Sequence, residues 1–398
     1  MLRVTSLAER RASAAPLGPP LRHTVRRTSK GMSMVLKRMI GLLQRSGQVN
    51  DWGLPSGMLG IAIVVLFMVP VQAATWHVPS ECPTIHAGLD SASSGDTVLV
   101  APGIYPVTAD RETWNRVPAG VCLTSESGPE ATIVEICGDT YECIYVVSGA
   151  EGVRVSGFTM RMGSGPRCRI PENCGVSCCQ STDLIVENCI MEDLDRGIYV
   201  IGRSSEWWWP LFRDNIIRRC KYGILCEEVY DPGRPYFLRN TVTQSTYAGA
   251  MVWNSSPMFD SNEFSGGYYG MYFEGWCGGG CRLNSICSNT QHGVVIYPDP
   301  ELAAPGFNGG LDPNYANDFS GNGGYAIYNG FEHPTTGIFA EFNYWGSRCP
   351  NFSELFHGPV TYEPWVDSTH TEILNHDDCP DATEPTTWGA IKAMFGDD

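Results

Sequence analysis

One pattern recurs along this chain and leaves few folds open to it. An Asn opens a short apolar-alternating run, and seven to nine residues later a Gly opens a second: Asn188 then Gly197, Asn215 then Gly223, Asn240 then Gly249, Asn262 then Gly270, Asn284 then Gly293, Asn317 then Gly324. Asn343 opens a last unit, and the Asn-to-Asn steps are 27, 25, 22, 22, 33 and 26 residues. Each unit holds two short strands of period two, without a helical period. Units of this size cannot bury a core alone, but stacked they can, so the pattern predicts a solenoid of β-coils. Asn at a fixed place predicts an internal amide ladder bonding neighbouring turns. Gly at the other corner predicts a sharp bend or a positive φ. The variable steps place insertions at turns, the largest between Tyr297 and Asn314.

Ahead of the repeats, Ile85, Leu89 and Ala92 share one face of a short amphipathic stretch, which predicts a helix capping the open end of the solenoid. A turn, a strand and a turn follow at Gly95–Tyr105. The opening TIHAGLDSASSGDTVLVAPGIY, the repeats, Asn343–Ser347 (NYWGS) and Val360–Asp367 (VTYEPWVD) together resemble the right-handed parallel β-helix proteins of the pectin-lyase-like superfamily. The resemblance covers residues 75–370. It implies an all-β, single-stranded right-handed parallel β-helix of nine to eleven coils with an N-terminal cap helix. It does not imply one activity, because this fold hosts lyases, hydrolases, esterases, epimerases and inert surface proteins.

Charge divides the chain. The whole sequence has 43 Asp+Glu against 27 Lys+Arg and a net charge of −16, while residues 1–73 hold ten Lys+Arg and only two acids, Glu9 and Asp51. A basic leader, the apolar run Met58–Val71 and small residues at Val71 and Ala73 predict a signal peptide cleaved after Ala73, and hence a secreted or cell-surface protein. An uncleaved anchor is the alternative. The expected organisation is a leader over 1–73, a β-helix over 74–375, and a linker with a short tail over 376–398. All 16 Cys follow the leader, as in an exported, disulfide-bonded chain. Candidate pairs are Cys277–Cys281, Cys137–Cys143, Cys168–Cys174 and Cys349–Cys379. Cys174, Cys178 and Cys179 lie close together but lack the second pair or His that zinc needs. The acidic, Lys-poor body argues against a nucleic-acid partner.

Alignment on the corner Gly sorts each following strand into inner and outer residues. The inner positions are almost all apolar, from Ile198 and Val200 to Tyr325 and Ile327. One outer column reads Tyr199, Leu225, Met251, Tyr272, Val295 and Ala326. A second reads Ile201, Glu227, Trp253, Glu274, Tyr297 and Tyr328. Glu227 and Glu274 would stand two coils, about 10 Å, apart. That suits the acid and base of an inverting glycosidase, with Trp253 between them to stack on a sugar ring. Trp253, Tyr272, Tyr297, Tyr328 and Trp208 are the candidate glycan contacts, with Trp207, Trp209 and Tyr230 in adjacent turns. A sheet-stabilising ladder of the same residues is the plainer alternative.

The Gly-His-Gly and paired-Asp motifs of polygalacturonases are absent from the repeats, as is the Arg-x-x-Arg element of pectate lyases. His292, in Gln291-His292-Gly293, reads as a structural turn residue. Lys221 is the only Lys in the repeats. No cofactor is required. Ca2+ is the ion that the turn residues Asp312, Asn314, Asn317 and Asp318 suit, with ordinary turn roles as the alternative. Residues 388–395 form a short amphipathic piece, either a tag for sorting machinery or envelope attachment or a helix packed on the last coil. The chain thus reads as an exported or surface-attached protein whose partner is a polysaccharide or cell-surface glycan, without well-defined catalysis. The alternatives are a polysaccharide lyase or glycoside hydrolase working at Glu227, Trp253 and Glu274, and a structural or adhesive solenoid.

Overall fold

The computed structural model describes residues 73–107, 115–137, 141–164, 172–202, 208–229, 233–298, 305–307, 312–330 and 337–379. Leader residues 1–72, Trp207, Tyr230, Cys168 and the 388–395 tail lie outside these residues.

Short strands of two to seven residues follow one another around a coil, and in the three large sheets each pairs in parallel with its equivalent one coil away. Three parallel sheets result. A nine-stranded sheet runs from Thr75–Val78 to Gly280–Arg282, an eight-stranded sheet from Gly103–Val107 to Ser285–Cys287, and a ten-stranded sheet from Arg116–Val117 to Phe356–His357. This is the right-handed parallel β-helix that the repeats imply. Among the described residues no helix is long and apolar enough to cross a membrane.

The inner positions of all three sheets are almost all apolar and buried, with Asn329, opposite Ile296, a buried polar exception. Phe212, Phe237 and Phe259 stack one per coil, with ring centroids 5.0 and 5.1 Å apart. Ile198, Ile224, Ala250, Met271, Val294 and Ile327 line the ten-stranded sheet from inside. Helix α1 (Ile85–Ser91) starts at Thr84, whose side chain accepts from the Ala87 N–H, and buries Ile85, Gly88 and Leu89 on the first coil. Gly88 permits that contact, because a Cβ there would lie 2.9 Å from Val98 Cγ1.

The Asn ladder is present. Asn215, Asn240, Asn262, Asn284, Asn317 and Asn343 are all buried. Each Oδ1 accepts the backbone N–H of the preceding ladder residue, at 2.8–3.1 Å. Each Nδ2 from Asn215 to Asn317 donates to the Oδ1 of the next, at 2.9–3.0 Å. Every buried amide at this corner is therefore satisfied. Asn188 is not a member. It is exposed, with φ 51°, and Cys189 holds the ladder position, its N–H donating to Asn215.

The corner glycines have a different role from the one their spacing suggests. Gly197, Gly223, Gly249, Gly270 and Gly293 lie at or beside strands of the ten-stranded sheet, and none has a positive φ. A Cβ on each would fall 2.5–2.7 Å from the carbonyl oxygen of the next coil. Glycine is needed here for close approach of backbones, not for a left-handed turn. The next residue in this series is Ala326, not Gly324.

Of the expected cysteine pairs, Cys349–Cys379 is a disulfide closing the C-terminal end. Cys277 and Cys281 are both buried thiols on the inside of the coil, as is Cys143. Burial pushes Cys189 and Cys220 up to about 12 and Cys277 up to about 11. The thiolate is the reactive species, so such thiols are chemically quiet.

Candidate functional site

The sheets differ in what they show to solvent. On the nine- and eight-stranded sheets the outward residues form ion-pair ladders. Buried Glu187 bridges Arg213, at 2.6 Å, and Arg154 on the neighbouring coils. Glu192 holds Arg218 at 2.6 Å and Arg219 at 3.0 Å, and Asp260 holds Arg282 at 2.7 Å. The outward side of the ten-stranded sheet is aromatic instead.

There the register places Ile201, Glu227, Trp253, Glu274 and Tyr297 in one column across five coils. Glu227 and Glu274 flank Trp253 and are two coils apart, about 10 Å at the sheet spacing. Trp253 is 39% exposed. Glu227 accepts a 2.7 Å hydrogen bond from the Tyr199 hydroxyl, one coil back. Burial, and then Glu227 itself, push the Tyr199 phenol well above its ordinary range. The Arg196 guanidinium covers the ring of Tyr199 at 4.7 Å.

The adjacent column runs Tyr199, Leu225, Met251, Tyr272, Val295, Tyr328 and His357. Tyr272 is brought beside the first column, its ring 5.9 Å from Tyr297. Tyr328 stands in this second column, opposite Val295, and not in line with Tyr297 as the Gly alignment predicts. The 33-residue step from Asn284 to Asn317 carries through to Val294 and Ile327, whereas Gly293 to Gly324 is two residues shorter. A shift of two keeps Tyr328 on the outer face, and its ring lies 5.7 Å from Tyr297. The same shift places Ala326, buried, at the corner position opposite Gly293 and Tyr325 beside it, stacked on His292.

The rings join into one pavement. Tyr247 touches Tyr222, Tyr269 and Tyr272, with centroids 5.4–5.7 Å apart. His292 lies among Tyr269, Tyr325 and Tyr328 at 5.3–5.8 Å, its plane within 25° of each, and His357 stacks on Tyr328 at 4.3 Å. The Nδ1 of His292 accepts the Tyr325 backbone N–H at 2.9 Å, which leaves the proton of the neutral ring on Nε2. Burial, with the nearby His357, lowers its pKa. Burial and neighbouring phenols push Tyr269 up to about 12 and raise Tyr272. This surface therefore offers uncharged rings and hydroxyl donors at neutral pH. The His292 and Tyr325 part of it is not evident in the Gly-aligned sequence, where one residue reads as a turn and the other as core.

Trp208 does not join this face. It is 1% exposed, and its indole fills space that only Gly233 permits, since a Cβ there would lie 2.0 Å from Nε1. Asp312, Asn314 and Asp318 hold turns: Asp312 caps the short 3-10 helix Pro313–Tyr315 and accepts from Asn314, and Asp318 accepts from the Ser320 N–H. Among the described residues no three His, Cys, Asp or Glu side chains are grouped to share a metal ion.

The family described as "Right handed beta helix region" matches residues 115–264 and again 174–333, which together exceed half of the chain. The chain belongs to the right-handed β-helix family. No curated protein matches its sequence. Among solved structures it is similar to the A-module of a mannuronan C-5 epimerase from Azotobacter vinelandii, with 13% identity, 70% of this chain and 83% of that one covered, and a TM-score of 0.47. It is also similar to a polygalacturonase from Erwinia carotovora, with 11% identity, coverage of 73% and 96%, and a TM-score of 0.43. The β-helix assignment stands on the sequence match.

Proposed function

We propose that this protein is an exported, carbohydrate-binding β-helix that lays a glycan along the aromatic side of its ten-stranded sheet. The observation that carries this reading is the joined rings of Tyr247, Tyr272, Tyr297 and Tyr328, with the exposed Trp253 in the same outward column as Tyr297. A sugar ring presents an apolar C–H face and an edge of hydroxyls, and such a surface answers both. Export is supported by the basic leader and the apolar run ending near Ala73. Residues 388–395 are the candidate attachment segment.

A second reading has its own observation. Glu227 and Glu274 flank Trp253 at a separation that leaves room for a water and a scissile bond, as in an inverting glycosidase. One experiment addresses both readings. The purified protein is titrated with a panel of polysaccharides, and each mixture is assayed for new reducing ends and for unsaturated products. Binding lost in Trp253→Ala, with no product formed, supports the binding protein. Reducing ends that vanish in Glu227→Gln or Glu274→Gln support the hydrolase. Binding unchanged in Trp253→Ala and Tyr272→Ala overturns the assignment of this face.

A further inference from the structure

Resting on that carbohydrate-binding reading, we infer that the glycan is a neutral one, a polymer of hydroxylated sugars without carboxylate or sulfate groups. The basis is how the cationic side chains are distributed. From Thr241 to Ser347 the sequence contains one Lys or Arg, Arg282. Arg282 sits on the nine-stranded sheet, bound to Asp260 at 2.7 Å and to the Tyr236 hydroxyl at 3.1 Å. The stretch supplies every strand of the pavement from Ala248–Trp253 to Ile327–Asn329 and every turn between them. From this stretch a polyanion laid there would meet no guanidinium or ammonium group. Proteins that recognise carboxylates or sulfates supply such groups, usually as bidentate Arg.

Among the described residues three cations stand at the other end of the face, and each covers a ring; Arg116, opposite Tyr145, does so over that ring at 5.9 Å. Arg196 covers Tyr199 at 4.7 Å and pairs with Glu172 at 3.5 Å, and Lys221 covers Tyr222 at 5.0 Å. Meanwhile Glu227 and Glu274 bracket the exposed Trp253. Their carboxylates accept hydrogen bonds from sugar hydroxyls and repel a uronate stacked on the same ring. Protein polarity and ligand polarity match only if the ligand brings hydroxyls.

The test is a binding comparison with the intact protein. The neutral probes are laminarin, galactomannan and xyloglucan. The anionic probes are polygalacturonate and alginate, each with and without Ca2+, and the cationic probe is chitosan. The expected result is binding to a neutral polymer, at least about tenfold tighter than to either polyuronate and nearly insensitive to salt, because no ion pairs are formed. The double variant Glu227→Gln/Glu274→Gln should narrow that gap severalfold. Polyuronate binding as tight as the best neutral polymer, with or without Ca2+, overturns the inference, and so does salt-sensitive preference for chitosan. An unaltered neutral-to-uronate ratio in the double variant overturns the role given to the two carboxylates. Binding to none of the probes removes the carbohydrate-binding reading itself, a result distinct from a preference for the wrong charge.

Discussion

Two stacks of like residues run along this solenoid, one inside and one outside. At the corner between the nine- and eight-stranded sheets, asparagines repeat one per coil. Each uses its Oδ1 and both amide hydrogens on neighbouring coils, with nothing left over. On the outward side of the ten-stranded sheet, tyrosines and histidines repeat with the same spacing, but their faces and hydroxyls are only partly engaged with one another. Both are products of stacking equivalent positions about 4.8 Å apart. A repeat that is buried and saturated holds the fold. A repeat that is exposed and unsaturated is available to something else.

The contrast can be broken at its buried side first. Asn262→Leu strands the Asn240 N–H and one hydrogen of the Asn240 amide and removes the side-chain bond to the Phe237 carbonyl, while the Asn284 oxygen keeps only the backbone N–H of residue 262. The expected loss is about 3 kcal/mol or more in urea unfolding. A loss under about 1 kcal/mol would mean that the ladder does not hold the coils. Gly249→Ala comes next. Its Cβ would meet the Gly270 carbonyl oxygen at 2.6 Å, and the expected cost is about 1–3 kcal/mol. Gly128→Ala is the control, with φ +83° and nothing within 4 Å, and its cost is backbone strain alone, about 1 kcal/mol. If the two cost the same, close approach is not why glycine recurs at this corner.

At the exposed side the effects should pass from stability to binding. Trp253→Ala is expected to change unfolding free energy by about 0.5 kcal/mol or less, as surface substitutions do. It should also weaken glycan binding about tenfold or more, the loss expected of an aromatic anchor. A large loss of stability would make Trp253 part of the fold and not of the site. The smallest effect concerns pH. The folded protein holds the pKa of His292 below its ordinary value of 6.5. The unfolded chain then binds the proton more readily, so this contribution is intact above about pH 6.5 and is lost as pH falls through the lowered value. In His292→Gln the stability–pH curve should be flatter over that window. An unchanged slope would assign the dependence to another group.

Much of this fold was legible because a solenoid writes its period into the chain. The spacing of the Asn residues located the ladder, and alternation separated core from surface in strands such as Ile198–Ile201 and Met271–Glu274. The column of Glu227, Trp253, Glu274 and Tyr297 was also legible, since it needs only the register of coils with near-constant length. The sequence misleads where two nearby residues compete for one position in the coil. Asn188 displaced Cys189, and Gly324 displaced Ala326, although an Asn-to-corner offset of nine pointed to Ala326. Trp208 resembled its exposed neighbour Trp209 in composition but is buried against Gly233. Cys277 and Cys281 looked like a pair in sequence, yet both are thiols on the inside of the coil.

The sequence alone determined the repeat, the inward apolar stripe, the internal Asn ladder and the outward acidic and aromatic column, because each depends on position within one coil. Only the tertiary structure decided that the corner glycines serve close approach, that His292 is held among three tyrosines drawn from two other coils, and that nearly every described Arg outside the aromatic face is tied to a carboxylate one coil away. Those are relations between coils. They depend on which atoms stacking brings within a few ångströms, and residues 22 to 33 positions apart in the chain carry no local mark of that meeting.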